Sequence, residues 1–204
     1  ILFVFLILFA IAFFIRDDVN DFFTGEIVLE NEDEKIIPRD FGDIEVLFCQ
    51  VDDCEEKLVE YIEKSDRVDC AFFDFNLEKV MDALKKKDYR LIIDNRHLKG
   101  LKLNNFKTDE RNGLMHNKFC IFDDRFISTG SMNPTFNDAS KNDNNLVIIE
   151  SKTLAGNYRD EFNEMWNGEF GKGEKVKDDK VYFNGNLLEN YFCPEDECEE
   201  QVLK

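Results

Sequence analysis

A chain of 204 residues is long enough for one domain with its own core plus short flanking segments. Its 44 acidic and 26 basic residues give a formal net charge of -18. That field repels polyanions and argues against sequence-blind binding of nucleic acid by the whole surface, while leaving room for a small cleft of placed lysines and arginines.

In chain order, Ile1 to Ile15 is apolar at every position and Arg16 ends the run. With no amphipathic stripe, residues 1–16 read as an N-terminal hydrophobic helix. It is a transmembrane anchor if upstream residues extend it to the ~18 to 20 that cross a bilayer, or a signal segment cut at Ala10-Ile11-Ala12. The anchor is preferred, and because the chain starts without Met, further residues are expected upstream. Residues 17–42, with a charge run from Glu30 to Lys35, read as a linker.

A catalytic domain is predicted over residues 43–170. Ile44 to Cys49 is a strand, and Asp52 or Asp53 caps a helix with Leu58, Val59 and Ile62 on one face. Val68 to Phe73 is a second strand. Leu77, Val80, Met81 and Leu84 recur at helical spacing, which predicts a helix over 76–87, and Tyr89 to Ile93 is a third strand. This β-α-β-α-β order predicts a parallel sheet with right-handed crossovers. Asn95 to Asn112 is polar and irregular, and its His97, Lys99, Lys102, Lys107 and Arg111 form either a substrate groove or a solvated loop. His97 lies outside any motif and reads as a loop residue rather than a catalytic one. Strands follow at Lys118–Phe122, Arg125–Thr129 and Leu146–Glu150, then a helix over 154–166 that offers Tyr158, Phe162, Met165 and Trp166 to the sheet.

Six cysteines are present. Cys70 and Cys120 sit in apolar strands and read as small buried hydrophobes. Cys49 with Cys54 and Cys193 with Cys198 form two C-x4-C pairs, which read as local disulfides in an extracytoplasmic domain, with a zinc site as the weaker alternative. The segment Phe48 to Glu56 is echoed by Phe192 to Glu200 with six identities in nine positions at an offset of 144. Residues 171–204 therefore read as a linker and the opening of a truncated second repeat, with a lone cysteine clip as the alternative.

The chemistry concentrates in His116-Asn117-Lys118, Asp123 and Gly130-Ser131-Met132-Asn133, spaced H-x-K-x4-D-x6-G-S-x-N. On a strand, His116 and Lys118 share a face, so an imidazole and an ammonium converge on one phosphate. A neutral imidazole is a nucleophile near pH 7, and a lysine offsets charge on nonbridging oxygens. The two histidines offer no metal-ligand spacing, so no metal and no cofactor are expected.

This segment resembles the HKD motif of the phospholipase D superfamily, in particular its short single-motif members: the bacterial periplasmic endonucleases and the membrane-anchored, mitochondrial Zucchini-like proteins. The resemblance covers roughly residues 43–167. It implies an α/β domain with a mixed sheet flanked by helices, and a phosphodiester hydrolase that passes through a phosphohistidine. His116 would attack phosphorus, Lys118, Ser131 and Asn133 would bind phosphate, and Asp123 would support the active-site network, its alternative being a turn residue. A second HKD histidine would protonate the leaving oxygen, supplied by a homodimer partner or by a missing C-terminal repeat. Where the family often has N-x-E-N, this chain has Asn142-Asp143-Asn144-Asn145, an amide in place of the carboxylate.

Three functions follow. A membrane-tethered nuclease comes first, on the loop cations and the single-motif resemblance. A phospholipase D or phosphatidyltransferase acting on membrane phospholipid is the alternative, and a catalytically weak scaffold module is the third. The expected location is at a membrane with the catalytic domain outside the cytoplasm, or secreted after signal cleavage.

Overall fold

The computed structural model describes residues 36–203. The hydrophobic segment and the linker up to residue 35 lie outside them. Among the described residues no helix is long and apolar enough to cross a membrane.

The strands in chain order are β1 (Arg39–Asp40), β2 (Ile44–Phe48), β3 (Arg67–Phe72), β4 (Asp88–Asp94), β5 (Phe106–Asp109), β6 (Lys118–Phe122), β7 (Phe126–Gly130), β8 (Asn145–Glu150), β9 (Lys180–Phe183) and β10 (Asn186–Glu189). The helices are α1 (Cys54–Lys64), α2 (Glu78–Leu84), α3 (Phe136–Ser140), α4 (Lys152–Trp166) and α5 (Cys198–Val202). Seven strands form a mixed sheet in the order β2-β8-β7-β6-β3-β4-β5, and β1-β9-β10 form a small second sheet.

Alternation along the strands divides the core. Cys70 and Phe72 of β3, Leu91 and Ile93 of β4, and Cys120 and Phe122 of β6 meet Leu58, Ile62, Val80, Met81 and Leu84 of α1 and α2. Their neighbours Ala71, Ile92, Phe119 and Ile121 meet Leu154, Phe162 and Met165 of α4 on the opposite face. The result is a mixed sheet with helices on both faces. Two caps place the helices: Asp53 accepts from Glu56 N–H at 3.0 Å, and Ser151 Oγ accepts from Leu154 N–H at 3.0 Å.

The parallel β-α-β-α-β expectation is corrected for its first strand: within the seven-stranded sheet only β3, β4 and β5 run parallel, as part of the expected mixed sheet, whereas β2 lies at the far edge, antiparallel to β8. A central parallel strand is buried on both faces. The sequence Ile44-Glu45-Val46-Leu47-Phe48 instead carries Glu45, paired with Lys57 at 3.0 Å, and leaves Ile44, Val46 and Phe48 exposed.

Two further differences concern the flanks of the predicted domain. Arg39–Asp40, within the expected linker, pairs with Tyr182 and Phe183 of β9. Residues 171–203 hold β9, β10 and α5, and Val181 and Phe183 join the core beside α4. Cys49–Cys54 and Cys193–Cys198 are disulfides. Cys70 and Cys120 are also bonded to each other, which overturns their reading as free buried thiols. They face each other directly across β3 and β6, 4.1 Å apart at Cα, the close spacing of an antiparallel pair.

Candidate active site

Sheet topology brings one end of many strands together. Lys118 begins β6 opposite Phe72, the last residue of β3, and β4, β5 and β7 end at the same edge where β8 begins. Along that edge stand His116, Lys118, Ser131 and Asn133, together with Phe73, Asp74, Asp94 and Asn144.

His116 is placed by the segment before it. Asp94, fully buried, accepts from Met115 N–H at 3.1 Å, from Arg96 N–H at 3.1 Å and from the Arg96 guanidinium at 2.7 and 2.6 Å. Arg96 in turn donates to Gly113 O at 2.7 Å. Burial pushes the Asp94 carboxyl up, but these donors outweigh it and hold it below the usual carboxylate range. His116 is thus pinned one residue upstream by the buried Asp94 carboxylate and its pairing with Arg96, which no sequence motif announced.

The His116 ring packs on Phe73 with centroids 4.8 Å apart, and neither ring nitrogen is hydrogen-bonded among the described residues. Although the side chain reaches solvent, loss of hydration and then the Lys118 ammonium hold the imidazole below its ordinary value, with Asp94 pulling the other way. It is therefore neutral at pH 7. Lys118 Nζ donates to His116 O at 2.9 Å and lies 5.4 Å from the Phe73 ring centroid. Burial lowers the ammonium and Asp138 opposes that shift.

Gly130, at φ +140°, sets Ser131. A Cβ there would fall 2.5 Å from Asn145 O, so only glycine admits this approach. Ser131 Oγ then accepts from Asn145 N–H at 3.0 Å, which leaves the serine O–H to donate to a phosphate oxygen. Asn133 is more constrained. Its Oδ1 accepts from Asp74 N–H at 3.3 Å and its Nδ2 donates to Asp138 at 2.8 Å, so the amide braces the site through both ends. Asp138 also accepts from Asn133 N–H at 3.0 Å and from Asn142 Nδ2 at 2.7 Å, while Asn144 Nδ2 donates to Asp138 O at 3.4 Å. Burial raises the Asp138 carboxyl, and these amides lower it more. A carboxylate therefore stands beside Lys118 although Asn144 supplies none.

Asp123 stands apart. With Asp124 it forms the β6–β7 turn, both residues left-handed at φ +50° and +54°. Its carboxylate accepts from Asp66 N–H at 3.1 Å and Arg67 N–H at 2.8 Å, at the opposite end of the sheet from His116. The turn alternative is the one the geometry displays.

Beside His116 a cleft of about 470 Å³ is lined by Leu114, Met165, Phe170, Phe192, Pro194 and Arg111, among others. Glu161, which also faces it, is pushed up to about 8 by burial and by Glu195, Glu164 and Asp196. The loop cations divide. Lys102 pairs with Glu78 at 2.5 Å, Lys107 donates to Trp166 O at 2.6 Å, and Arg111 is held by Asp109 and Phe170 O at the cleft wall. Among the described residues no cluster of His, Cys, Asp and Glu is arranged to hold a metal ion.

Residues 58–166 match the family described as "Cardiolipin synthase, PLD-like domain". Similar curated proteins are the mitochondrial cardiolipin hydrolases of Xenopus tropicalis, 33% identical over 58 residues (28% of each chain), and of Homo sapiens, 36% identical over 58 residues (28% of this chain, 23% of the other). The matched segments thus span well under half the length of these relatives. Two solved structures share the fold. A phospholipase D family member, Nuc from Salmonella typhimurium, superposes with a TM-score of 0.54 at 22% identity over 61% of this chain and 94% of that one. NucT from Helicobacter pylori gives 0.51 at 18% identity over 61% and 96%. With the matched span covering more than half of its residues, the chain belongs to the phospholipase D-like family.

Proposed function

We propose that this protein hydrolyses phosphodiesters through a phosphohistidine on His116. The observation that carries the reading is a neutral imidazole with both nitrogens open, next but one to Lys118 and at the strand edge that presents Ser131. A ring nitrogen attacks phosphorus, Lys118 and the Ser131 hydroxyl take the nonbridging charge, and water then releases the phosphoryl group. Asn133 and Asp138 keep the loop after β7 in place, and the Asp138 carboxylate favours the charged form of Lys118. Leaving-group protonation needs a further acid; the family resemblance offers a second copy of the motif, from a homodimer partner or a C-terminal repeat.

For the substrate, the phospholipid reading gains over the nucleic-acid one. The loop cations that favoured nucleic acid are largely engaged: Lys102 and Lys107 hold other parts of the fold, and Arg111 is tied to Asp109. Relatives at 33% to 36% identity over 58 residues are named cardiolipin hydrolases. Two disulfides within the catalytic domain of residues 43–170 and a third at Cys193–Cys198 fit work in an oxidising compartment, with the protein tethered or secreted by residues 1–16.

The C-terminal echo is geometric as well. Phe48 N–H donates to Asp52 at 2.8 Å and Phe192 N–H to Asp196 at 2.6 Å, each beside a disulfide that opens a helix. This supports reading Phe192 to Glu200 as a repeat of Phe48 to Glu56, while residues 180–189 before it pack on the domain rather than form a linker.

The test uses the full chain with bis(4-nitrophenyl) phosphate, cardiolipin vesicles and a single-stranded oligonucleotide. Rapid quench into alkali and digestion at alkaline pH, which spares the phosphorus–nitrogen bond, should place phosphorus on His116, His116→Ala should lose all three activities, and vesicles should be cleaved faster than the oligonucleotide. Turnover by His116→Ala at the wild-type rate ends the proposal, and the oligonucleotide as the better substrate restores the nuclease reading.

A further inference from the structure

The cleft of about 470 Å³ beside His116 is walled in part by residues that the family match does not reach. The matched span ends at residue 166, whereas Phe170 and residues 191–194 line the cleft together with Leu114 and His116. Residues 191–198 form a clip fastened at several points. The Cys193–Cys198 bridge closes it. Within the loop the buried Asp196 accepts from Phe192 N–H at 2.6 Å, and it ties the loop to the preceding segment by accepting from Val176 N–H at 3.0 Å. Glu195 accepts from Gly173 N–H at 3.2 Å. The Phe192 ring stands edge-on to Tyr158 of α4, with centroids 4.9 Å apart. Gly171 sits at φ +58°, and a Cβ there would fall 3.0 Å from Arg111 Nη1 and 3.5 Å from Pro194 Cδ, so the clip closes against the segment that carries Arg111.

In-line displacement sends the leaving group away from the attacking nitrogen, while the group retained on phosphorus projects to the side. A cleft bordered by His116 and by the residue two before it is therefore placed for the retained group. Its volume lies within the range of small-molecule sites, about 300 to 1,000 Å³, which is room for a ring and not only a methyl. The lining is mixed: Arg111 and Glu161 share it with Phe170 and Phe192, which suits an organic group with both carbon and polar atoms.

Resting on the phosphohistidine reading, we propose that the clip and Leu114 form the specificity-determining wall for the organic group that stays on phosphorus. A bulky retained group fills the cleft and gains contacts with Leu114 and Phe192, and a methyl group leaves it empty. The Cys193–Cys198 bridge keeps the wall in position. Cys193 is exposed, whereas Cys49, Cys54, Cys70 and Cys120 are buried, so this lock can be removed without opening the core.

The experiment compares the full chain, Leu114→Trp, Cys193→Ser combined with Cys198→Ser, and His116→Ala on two soluble diesters with the same nitrophenolate leaving group, bis(4-nitrophenyl) phosphate and methyl 4-nitrophenyl phosphate. The quantity read is the ratio of their kcat/KM values. Leu114→Trp, at an exposed position, fills the cleft and should lower the ratio about 10-fold, chiefly through KM for the bulkier diester. Removing the bridge loosens the wall and should lower the ratio about 3- to 10-fold. If the bridge-free variant loses its circular dichroism signal, Leu114→Trp decides alone. A wild-type ratio in either folded variant overturns the proposal, as does an equal fall on both diesters, which would make the clip a prop for the fold. Activity of His116→Ala at the wild-type rate removes the phosphohistidine reading itself and takes this proposal with it.

Discussion

Replacing Asp94 with alanine removes the group that holds the backbone just before His116, the proposed nucleophile. Met115 is 3% exposed, and its N–H would lose its acceptor, which costs about 1 to 3 kcal/mol for a buried donor left unmade. The Arg96 guanidinium is exposed and can turn to water, so it adds nothing to the estimate. Taking about 2 kcal/mol as the net loss, and a urea m-value of about 2 kcal/mol/M, the unfolding midpoint should fall by about 1 M. Catalysis should suffer separately. A reacting atom misplaced by about 1 Å can cost 100-fold, so kcat on bis(4-nitrophenyl) phosphate should drop about 10- to 100-fold. Asp94 raises the His116 imidazole, so removing it lowers that group further and leaves it neutral at pH 7. Raising the pH should then restore nothing. Asp94→Asn, which keeps one acceptor oxygen, should lose about half as much stability. Wild-type kcat in a destabilised Asp94→Ala protein would refute the anchoring argument.

Four other outcomes follow from the same geometry. Lys118→Met removes a cation that depresses His116, so the imidazole, followed by its Cε1 proton resonance, should titrate nearer 6.5 and the acid limb of the rate profile should move up, while the rate falls about 100- to 1000-fold; a downward move contradicts the electrostatics. Asp123→Ala should cost about 0.5 to 1.5 kcal/mol in urea by stripping acceptors from the exposed Asp66 and Arg67 N–H groups, with kcat within about twofold of wild type, and a folded but inactive variant would return Asp123 to the site. Replacing Cys70 and Cys120 together opens a cross-link 50 residues apart and should cost about 4 kcal/mol, against about 2 for Cys49 and Cys54 at a separation of 5; equal losses would count against the loop-entropy account. Because Glu161 lies above its unfolded value, stability should decline as pH rises from 4.5 through about 8, and Glu161→Gln should remove that decline, a difference on the order of 1 to 3 kcal/mol at pH 9; superimposed stability curves would contradict it.

Local signals in the sequence were strong where one principle governed. Lys118–Phe122 and the helix ending at Trp166 were legible from apolar alternation and periodicity, and the C-x4-C pairs from their spacing. What pairing decides was not legible. Arg39–Asp40 is two polar residues and becomes a strand only because β9 lies alongside. Phe106–Asp109 sits in a polar stretch with no alternation long enough to mark it, and pairs with β4 at an edge. The helix predicted over 76–87 ends at Leu84, its lysines forming turns instead. Cys70 and Cys120 needed the β3–β6 register to be seen as partners. In the candidate site, spacing singled out His116, Lys118 and Ser131, but Asp94 was hidden: it acts on the Met115 N–H through a contact 21 residues away that a linear pattern does not record.

The strand β6 has a practical consequence. It opens with Lys118 and is followed by Asp123, so about 16 Å of extended backbone separates the two ends of a pattern written as one unit. Substitutions that far apart with no shared partner combine by simple addition. The hairpin tip can therefore be engineered for heat tolerance without retuning turnover, and a relative keeping the histidine and lysine but lacking the aspartate should be ranked as fragile rather than inert.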